Sequence, residues 1–311
     1  MRIAILGATS QLGKDLVMSY MAGGNELVLF ARRPEAVTQW LAGIGAPGRY
    51  KVADFDRFDQ NERFDAVINF VGVGDPAQAA AMGASIFDIT LRFDELALTY
   101  VRAHPECRYI FFSSGAAYGS RFDKPVDAST RSLVAINHLR PEDWYSVAKL
   151  HAECRHRSLP DLPIVDIRVF NYFSRTQDMA ARFFITDTVR AIQSGETLAT
   201  SADNITRDYL GPDDFYQLVL RILNATPAND VVDCYTLAPV DKLTLLSALQ
   251  QRFGLKYEVK AAPAVINATG AKMHYYSTNR KAEAFGYTPT KNSLDNVLDE
   301  LALVFSSDNG R

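Results

Sequence analysis

Cysteine is scarce in this chain of 311 residues. There are three, Cys107, Cys154 and Cys234, far apart and odd in number. They match no metal-ligand spacing and suggest no disulfide framework, so they read as reduced thiols, with no metal expected and the cytoplasm as the expected compartment. Long hydrophobic runs are missing as well. No uninterrupted apolar stretch approaches the roughly 20 residues of a membrane helix. The run from Met1 to Gly7 is too short and glycine-broken for a signal peptide. Charge of one sign is not in excess: 33 Lys and Arg against 36 Asp and Glu leave −3. That balance gives neither nucleic acid nor an anionic membrane a reason to bind. Internal repeats, low-complexity blocks and long charge runs are absent too. What remains is an ordinary globular composition, 48% hydrophobic and 22% charged, long enough for one large or two modest domains.

The first positive signal is local. Arg2 to Leu6 is a short apolar run ending in Gly7-Ala8-Thr9-Ser10-Gln11-Leu12-Gly13, and Lys14 to Met21 then carries apolar residues at helical spacing. Strand, glycine turn and helix in that order are the context of a dinucleotide-binding turn. Gly7 permits the tight turn and Gly13 the close packing of helix on strand. Free N–H groups at the helix start suit a pyrophosphate. Ser10 stands where a middle glycine is usual, and its hydroxyl is itself a phosphate partner.

A second strand, Glu26 to Phe30, leads into Ala31-Arg32-Arg33. NAD enzymes place an acid where this chain has Ala31, and guanidinium forks match a phosphate. The expected cofactor is therefore NADP(H) rather than NAD(H). Lys51 to Phe55 reads as a third strand, with Asp54 and Phe55 near the adenine edge. Asp65 to Gly72 reads as a fourth, nearly all apolar, bringing Phe70, Val71 and Gly72 to the cofactor. Such runs suit a parallel sheet buried on both faces. A helix, Ser85 to His104, precedes a fifth strand, Arg108 to Ser113. That strand opens into Ser113-Ser114-Gly115-Ala116-Ala117-Tyr118-Gly119, beyond the carboxyl end where open sheets bind ligands. Ser114 is placed there to bond a substrate oxygen.

Tyr145-Ser146-Val147-Ala148-Lys149 puts a phenol and an ammonium one helical turn apart. An ammonium beside a phenol favours the phenolate, which makes a proton donor and acceptor for a carbonyl/alcohol pair. The glycine turn, the Ser114 strand end and this pair, in this order, resemble the extended short-chain dehydrogenase/reductase family. The closer likeness is to its nucleotide-sugar epimerase, dehydratase and reductase branch. Leu150-His151-Ala152-Glu153 continues that family's helix, Arg168-Val169-Phe170-Asn171 matches its Arg-x-x-Asn strand end, and Thr206 to Phe215 looks like its Arg-Asp-Tyr…Asp-Asp segment.

The resemblance implies an α/β fold: a doubly wound parallel (Rossmann) sheet with a smaller, mostly C-terminal α/β substrate domain. The expected division is 1–171 for the cofactor and 172–311 for a nucleotide sugar, with about 211–239 returning to the first part. It implies Ser114, Tyr145 and Lys149 as catalytic residues, Phe170 near the nicotinamide, Asn171 on the substrate and Arg207 on its diphosphate. It also implies a homodimer through helices Ser85–His104 and Tyr145–Arg157. Family dehydratases carry a carboxylate just after the residue matched by Ser114. Gly115 and Ala116 offer none, so dehydration is disfavoured. With NADP(H) expected, the reading is an NADPH-dependent reductase of a nucleotide-linked 4-keto-6-deoxysugar, the alternative being an NAD(P)-dependent 4-epimerase. Further expected elements are a strand Pro163 to Phe170, a helix Met179 to Gly195, a strand Cys234 to Leu237, and helices Thr244 to Phe253 and Ser293 to Leu303.

Overall fold

A computed structural model describes residues 1–72, 79, 81–260 and 272–308. Among them the main sheet is parallel throughout and seven-stranded. Its strands are β1 (Arg2–Leu6), β2 (Glu26–Phe30), β3 (Lys51–Ala53), β4 (Ala66–Asn69), β5 (Arg108–Ser114), β6 (Ile164–Val169) and, after four short strands, Asp230–Asp233. The short ones are β7 (Asn171–Tyr172), β8 (Thr197–Ser201), β9 (Thr206–Arg207) and β10 (Tyr209–Leu210), which makes Asp230–Asp233 β11. Later come β12 (Val240–Asp241), β13 (Lys256–Lys260) and β14 (His274–Tyr275). Across the main sheet the order is β11-β6-β5-β4-β1-β2-β3. It reverses between β1 and β4, which opens a crevice at their carboxyl ends.

Strand alternation explains the layers. Ile3, Ile5, Leu27 and Leu29 face one side, where they meet Leu16, Val17 and Tyr20 of α1 (Gln11–Tyr20) and Val37 and Leu41 of α2 (Pro34–Gly43). Ala4, Leu6, Val28 and Phe30 face the other, against Ala97, Leu98 and Val101 of α3 (Ser85–Ala103) and Ala152 of α4 (Trp144–Arg157). Every one of these side chains is at most 2% exposed, so period-two patterning is lost and the strands read as continuous apolar runs. A separate core holds Ile185 and Val189 of α5 (Phe184–Ser194), Leu245, Leu246 and Leu249 of α7 (Lys242–Phe253), and Val297 and Leu301 of α8 (Ser293–Asp308). Helix α6 (Pro212–Asn224) packs Phe215, Leu218 and Val219 onto the α1 side of the main sheet. Among the described residues no helix is long and apolar enough to cross a membrane.

Several boundaries move from their sequence expectations for identifiable reasons. Helix α1 begins at Gln11, because Ser10 caps it by accepting from the Gly13 N–H at 3.1 Å. The third strand stops at Ala53, because the Asp54 carboxylate accepts from Asp56 N–H and starts a 3-10 turn. The late strand is Asp230–Asp233, not Cys234 to Leu237. Asp208 draws that segment off the sheet by accepting from both the N–H and the hydroxyl of Thr236. The helix expected from Met179 starts at Phe184, and Gly195 ends it with φ +70°.

Candidate active site

At the crevice, Gly7 turns the chain with φ +83°. A Cβ there would stand 3.0 Å from both the Phe70 carbonyl carbon and the Val71 nitrogen. Only glycine lets β1 pass so close to the end of β4. Gly13 is equally constrained: its Cβ would meet Ser10 Oγ at 2.8 Å and Gly7 O at 3.1 Å. Helix geometry leaves the first-turn N–H groups of α1 without intrahelical partners. The Ser10 hydroxyl satisfies that of Gly13. The Gln11 side chain instead reaches Ser174 Oγ at 3.0 Å. Asp54 and Phe55 form the cap and start of their 3-10 turn, Phe55 buried against the α3 core and Asp54 bonded to Asp56.

Ser114, the last residue of β5, starts the short turn Gly115–Tyr118 and accepts from the Ala116 N–H at 3.1 Å. Helix α4 docks onto this turn: Ser146 donates to Ala116 O at 2.6 Å, which carries Tyr145 to the serine. Tyr145 is half-buried; desolvation raises the pKa of its phenol, and a hydrogen bond with Ser114 opposes the rise. A second phenol, Tyr275 of β14, stands 3.3 Å from Ser114 Oγ. Its pKa is also raised, chiefly by burial, with the Ser114 bond opposing and Tyr145 adding to the rise. Two phenols thus flank one serine hydroxyl.

Lys149 behaves differently from the expectation that it keeps Tyr145 acidic. Its ammonium donates to Phe112 O at 2.7 Å and lies 4.5 Å from the centroid of the Phe111 ring. A Cβ on Gly72 would sit 3.3 Å from it. Burial brings its pKa down to about 8 against the opposing pull of Asp94, Glu153 and Asp166. In this state the lysine ammonium faces the β4 end rather than the phenol. Glu153 anchors the helix: it pairs with Arg168 of β6 at 2.5 Å and accepts from Ser113 at 2.5 Å.

Phe170, expected beside the nicotinamide, covers Gly115. A Cβ there would come within 2.4 Å of its ring. It packs with Tyr118, Phe122, Val126 and Tyr275. No side chain fits after Ser114, and therefore no carboxylate. Asn171 donates to Tyr275 O at 3.1 Å. Arg207, half-buried on β9, donates to the carbonyls of Thr206 and Met273, with its guanidinium 6.0 Å from the Tyr275 ring centroid. Lys272 places its ammonium 4.3 Å from the same centroid. Burial and the Arg207 charge lower its pKa to about 8. Among the described residues neither cation pairs with a carboxylate.

Sequence reasoning therefore brought Ser114, Tyr145, Phe170, Asn171 and Arg207 to one place. It missed Tyr275 and Lys272, which come from a two-residue strand and its approach with no periodicity to mark them. A cavity of about 460 Å3 lies elsewhere, behind the Gly115–Tyr118 turn between Leu150, Arg168 and Lys281.

A reversed strand order with a glycine turn on one flank and a serine–tyrosine pair on the other is the frame of a Rossmann-like α/β fold. The family model for the NAD dependent epimerase/dehydratase family matches residues 3–235, and the chain belongs to that family. No curated protein matches the sequence. Solved structures share the fold at low identity. UDP-glucose-4-epimerase of Stenotrophomonas maltophila, with NAD and formylated UDP-arabinopyranose, superposes with TM-score 0.82 at 17% identity, covering 100% of both chains. UDP-N-acetylglucosamine 4-epimerase of Methanobrevibacter ruminantium M1, with UDP-N-acetylmuramic acid, gives 0.81 at 16%, covering 99% of this chain and 98% of that one. UDP-glucuronic acid 4-epimerase of Bacillus cereus, with UDP-glucuronic acid and NAD, gives 0.77 at 16%, covering 99% and 100%.

These neighbours correct one expectation. The Stenotrophomonas and Bacillus enzymes hold NAD, not NADP, so the NADP(H) reading of Arg32 and Arg33 is withdrawn. The structure supplies a physical reason. Both guanidinium groups are exposed just before Pro34 at the start of α2, and among the described residues they have no ion pair. They are solvated charges at a helix start.

Proposed function

We propose that this protein is an NAD-dependent epimerase inverting C4 of a nucleoside-diphosphate sugar. The observation that carries the reading is Ser114 set between the Tyr145 and Tyr275 phenols, with Arg207 nearby and without a carboxylate partner among the described residues. NAD fits the residues present: Gly7 and Gly13 leave room only for backbone, and the α1 N-terminus offers N–H groups to a pyrophosphate. Bound there, NAD supplies a place to hold the C4 hydride and return it. Gly7, Thr9 to Gly13, Phe70 to Gly72 and Lys149 would surround it.

The chain's own part follows from its geometry. Ser114 holds the C4 oxygen and fixes its distance to Tyr145. Tyr145 removes the hydroxyl proton as C4 is oxidised and gives it back when the ketone is reduced on its other face. Because burial raises the Tyr145 pKa, this first step needs the phenolate and speeds up with pH. Lys149 would swing from Phe112 O to the cofactor ribose. Arg207 would bond diphosphate oxygens and Asn171 the sugar. Phe170 over Gly115 excludes the carboxylate a dehydratase needs. The smaller C-terminal part, 172–311 less the returning α6 and β11, would supply the sugar side, and α3 with α4 a homodimer face. Three free cysteines, one of them the exposed Cys154, suit work in a reducing compartment such as the cytoplasm.

The test is incubation with NAD and UDP-glucose, UDP-N-acetylglucosamine or UDP-glucuronic acid, read by NMR at C4. The 4-epimer of at least one should appear without net NADH. Steady NADH consumption with 4-keto sugars, and no inversion, would mean a reductase instead.

A further inference from the structure

The catalytic helix carries a second cluster that the proposed reaction does not use. His156, Asp94 and Asp166 are all fully buried. The imidazole bridges the two carboxylates, with Nε2 2.7 Å from Asp94 Oδ1 and Nδ1 2.6 Å from Asp166 Oδ1. Arg155 and Arg157 satisfy their outer oxygens at 2.6 and 3.0 Å. From this cluster a chain of side chains runs across the sheet to the crevice. The Tyr109 hydroxyl donates to Asp94 Oδ1 at 3.0 Å. Asn69 Nδ2 donates to the Tyr109 oxygen at 2.9 Å, and Asn69 Oδ1 accepts from the Val71 N–H at 2.8 Å.

Only one polarity satisfies every link. An ionised Asp94 can only accept, so both His156 and Tyr109 must give it their protons. Having spent its one proton, the Tyr109 oxygen must accept. Asn69 must therefore turn its NH2 inward and its oxygen toward Val71. A charge buried beneath α3 and α4 thus supports the carboxamide orientation that Val71 N–H and Phe93 O also require. The peptide it holds adjoins Gly72, whose φ is +154° and whose Cβ position lies 3.3 Å from the Lys149 ammonium. The same carboxylates, Asp94 and Asp166, also support the charge on Lys149.

We infer that His156 and Asp94 are positioning residues for the cofactor, acting through Tyr109 and Asn69 on the Val71–Gly72 peptide. The inference rests on the cofactor site proposed above and goes beyond it. It makes affinity for NAD depend on a side chain that touches neither cofactor nor substrate.

Tyr109→Phe is the clean cut. It removes one oxygen and keeps the ring that packs on Phe111 and His156. Asn69 Nδ2 then keeps its longer bond to Phe93 O, 3.3 Å, while Oδ1 still accepts from Val71 N–H. The variant and unmodified protein are compared by amide exchange at Val71 and by titration with NAD and with UDP. Loss of one buried hydrogen bond should speed Val71 exchange and weaken NAD about three- to tenfold, with UDP affinity unchanged. Unchanged Val71 exchange would overturn the relay. So would faster exchange with NAD affinity intact, or equal losses for NAD and UDP. If the unmodified protein binds no NAD, the cofactor reading fails instead, and Val71 exchange still decides the relay. His156→Gln should weaken NAD in the same direction; no effect on NAD from a folded His156→Gln would count against the inference.

Discussion

Gly115→Ala adds one methyl group at the most crowded point of the site. The backbone there is not left-handed, so alanine meets no conformational penalty; the whole effect is steric. The new Cβ would lie 2.4, 2.5 and 2.8 Å from three atoms of the Phe170 ring. Phe170 cannot simply swing away. It is 8% exposed and touches Tyr275 at a 5.2 Å centroid separation and Phe122 at 6.4 Å. Overpacking of this kind costs about 1–3 kcal/mol. The ring must move toward Tyr275, whose hydroxyl bonds Ser114, so turnover should fall by about tenfold or more as that oxygen is displaced. Chemical denaturation gives the stability loss, and steady-state kinetics the turnover. Phe170→Leu added to Gly115→Ala should recover most of the lost stability. A Gly115→Ala protein of unchanged stability and turnover would show that the ring is not locked where the structure has it. A double variant worse than either single one would say the same.

Other consequences are as open to test. Tyr145→Phe should lower kcat by about 10²–10⁴-fold while calorimetry finds NAD binding little changed. Because burial raises the Tyr145 pKa, kcat/KM should climb with pH above neutrality; a flat profile would remove the phenolate from the first step. Against the downward pull of burial, the Asp166 and Asp94 carboxylates raise the His156 pKa from the ordinary 6.5 to about 9. The folded state therefore holds an extra proton between those values, and this contribution to stability, complete below 6.5, is lost as pH rises through 9. His156→Gln should flatten the stability slope between pH 6.5 and 8, measured by denaturation at each pH. Ser10→Ala should cost about 1 kcal/mol through the lost N-cap, seen in the same denaturation assay.

Much of the frame was legible because burial on both faces leaves an unbroken signature. Arg2–Leu6 and Glu26–Phe30 keep the limits their apolar runs imply, bounded by glycine or charge. The Ser114 and Tyr145 meeting was legible only through the resemblance, since nothing local says that residues 31 apart in the chain share an oxygen. Long-range side-chain capture was invisible. Asp208 taking Thr236 leaves the strand at Asp230–Asp233 rather than at Cys234–Leu237. Arg32 and Arg33 misled for a different reason: a sequence shows charge but not whether a phosphate or water meets it. Lys149 was placed beside Tyr145 correctly along the helix, yet its long stem carries the ammonium to Phe112 O. His156 passed unnoticed because a buried imidazole and a surface one look alike until Asp94 and Asp166 come in from other elements.

The most direct measurement follows a deuterium label at C4 of a UDP-sugar turned over with NAD. With Tyr145 taking only the hydroxyl proton, deuteride held by NAD and returned to the opposite face should leave the label on C4 of the inverted product, with Tyr145→Phe nearly silent. Inversion with the label washed into water, or turnover that survives loss of the phenol, would contradict the account.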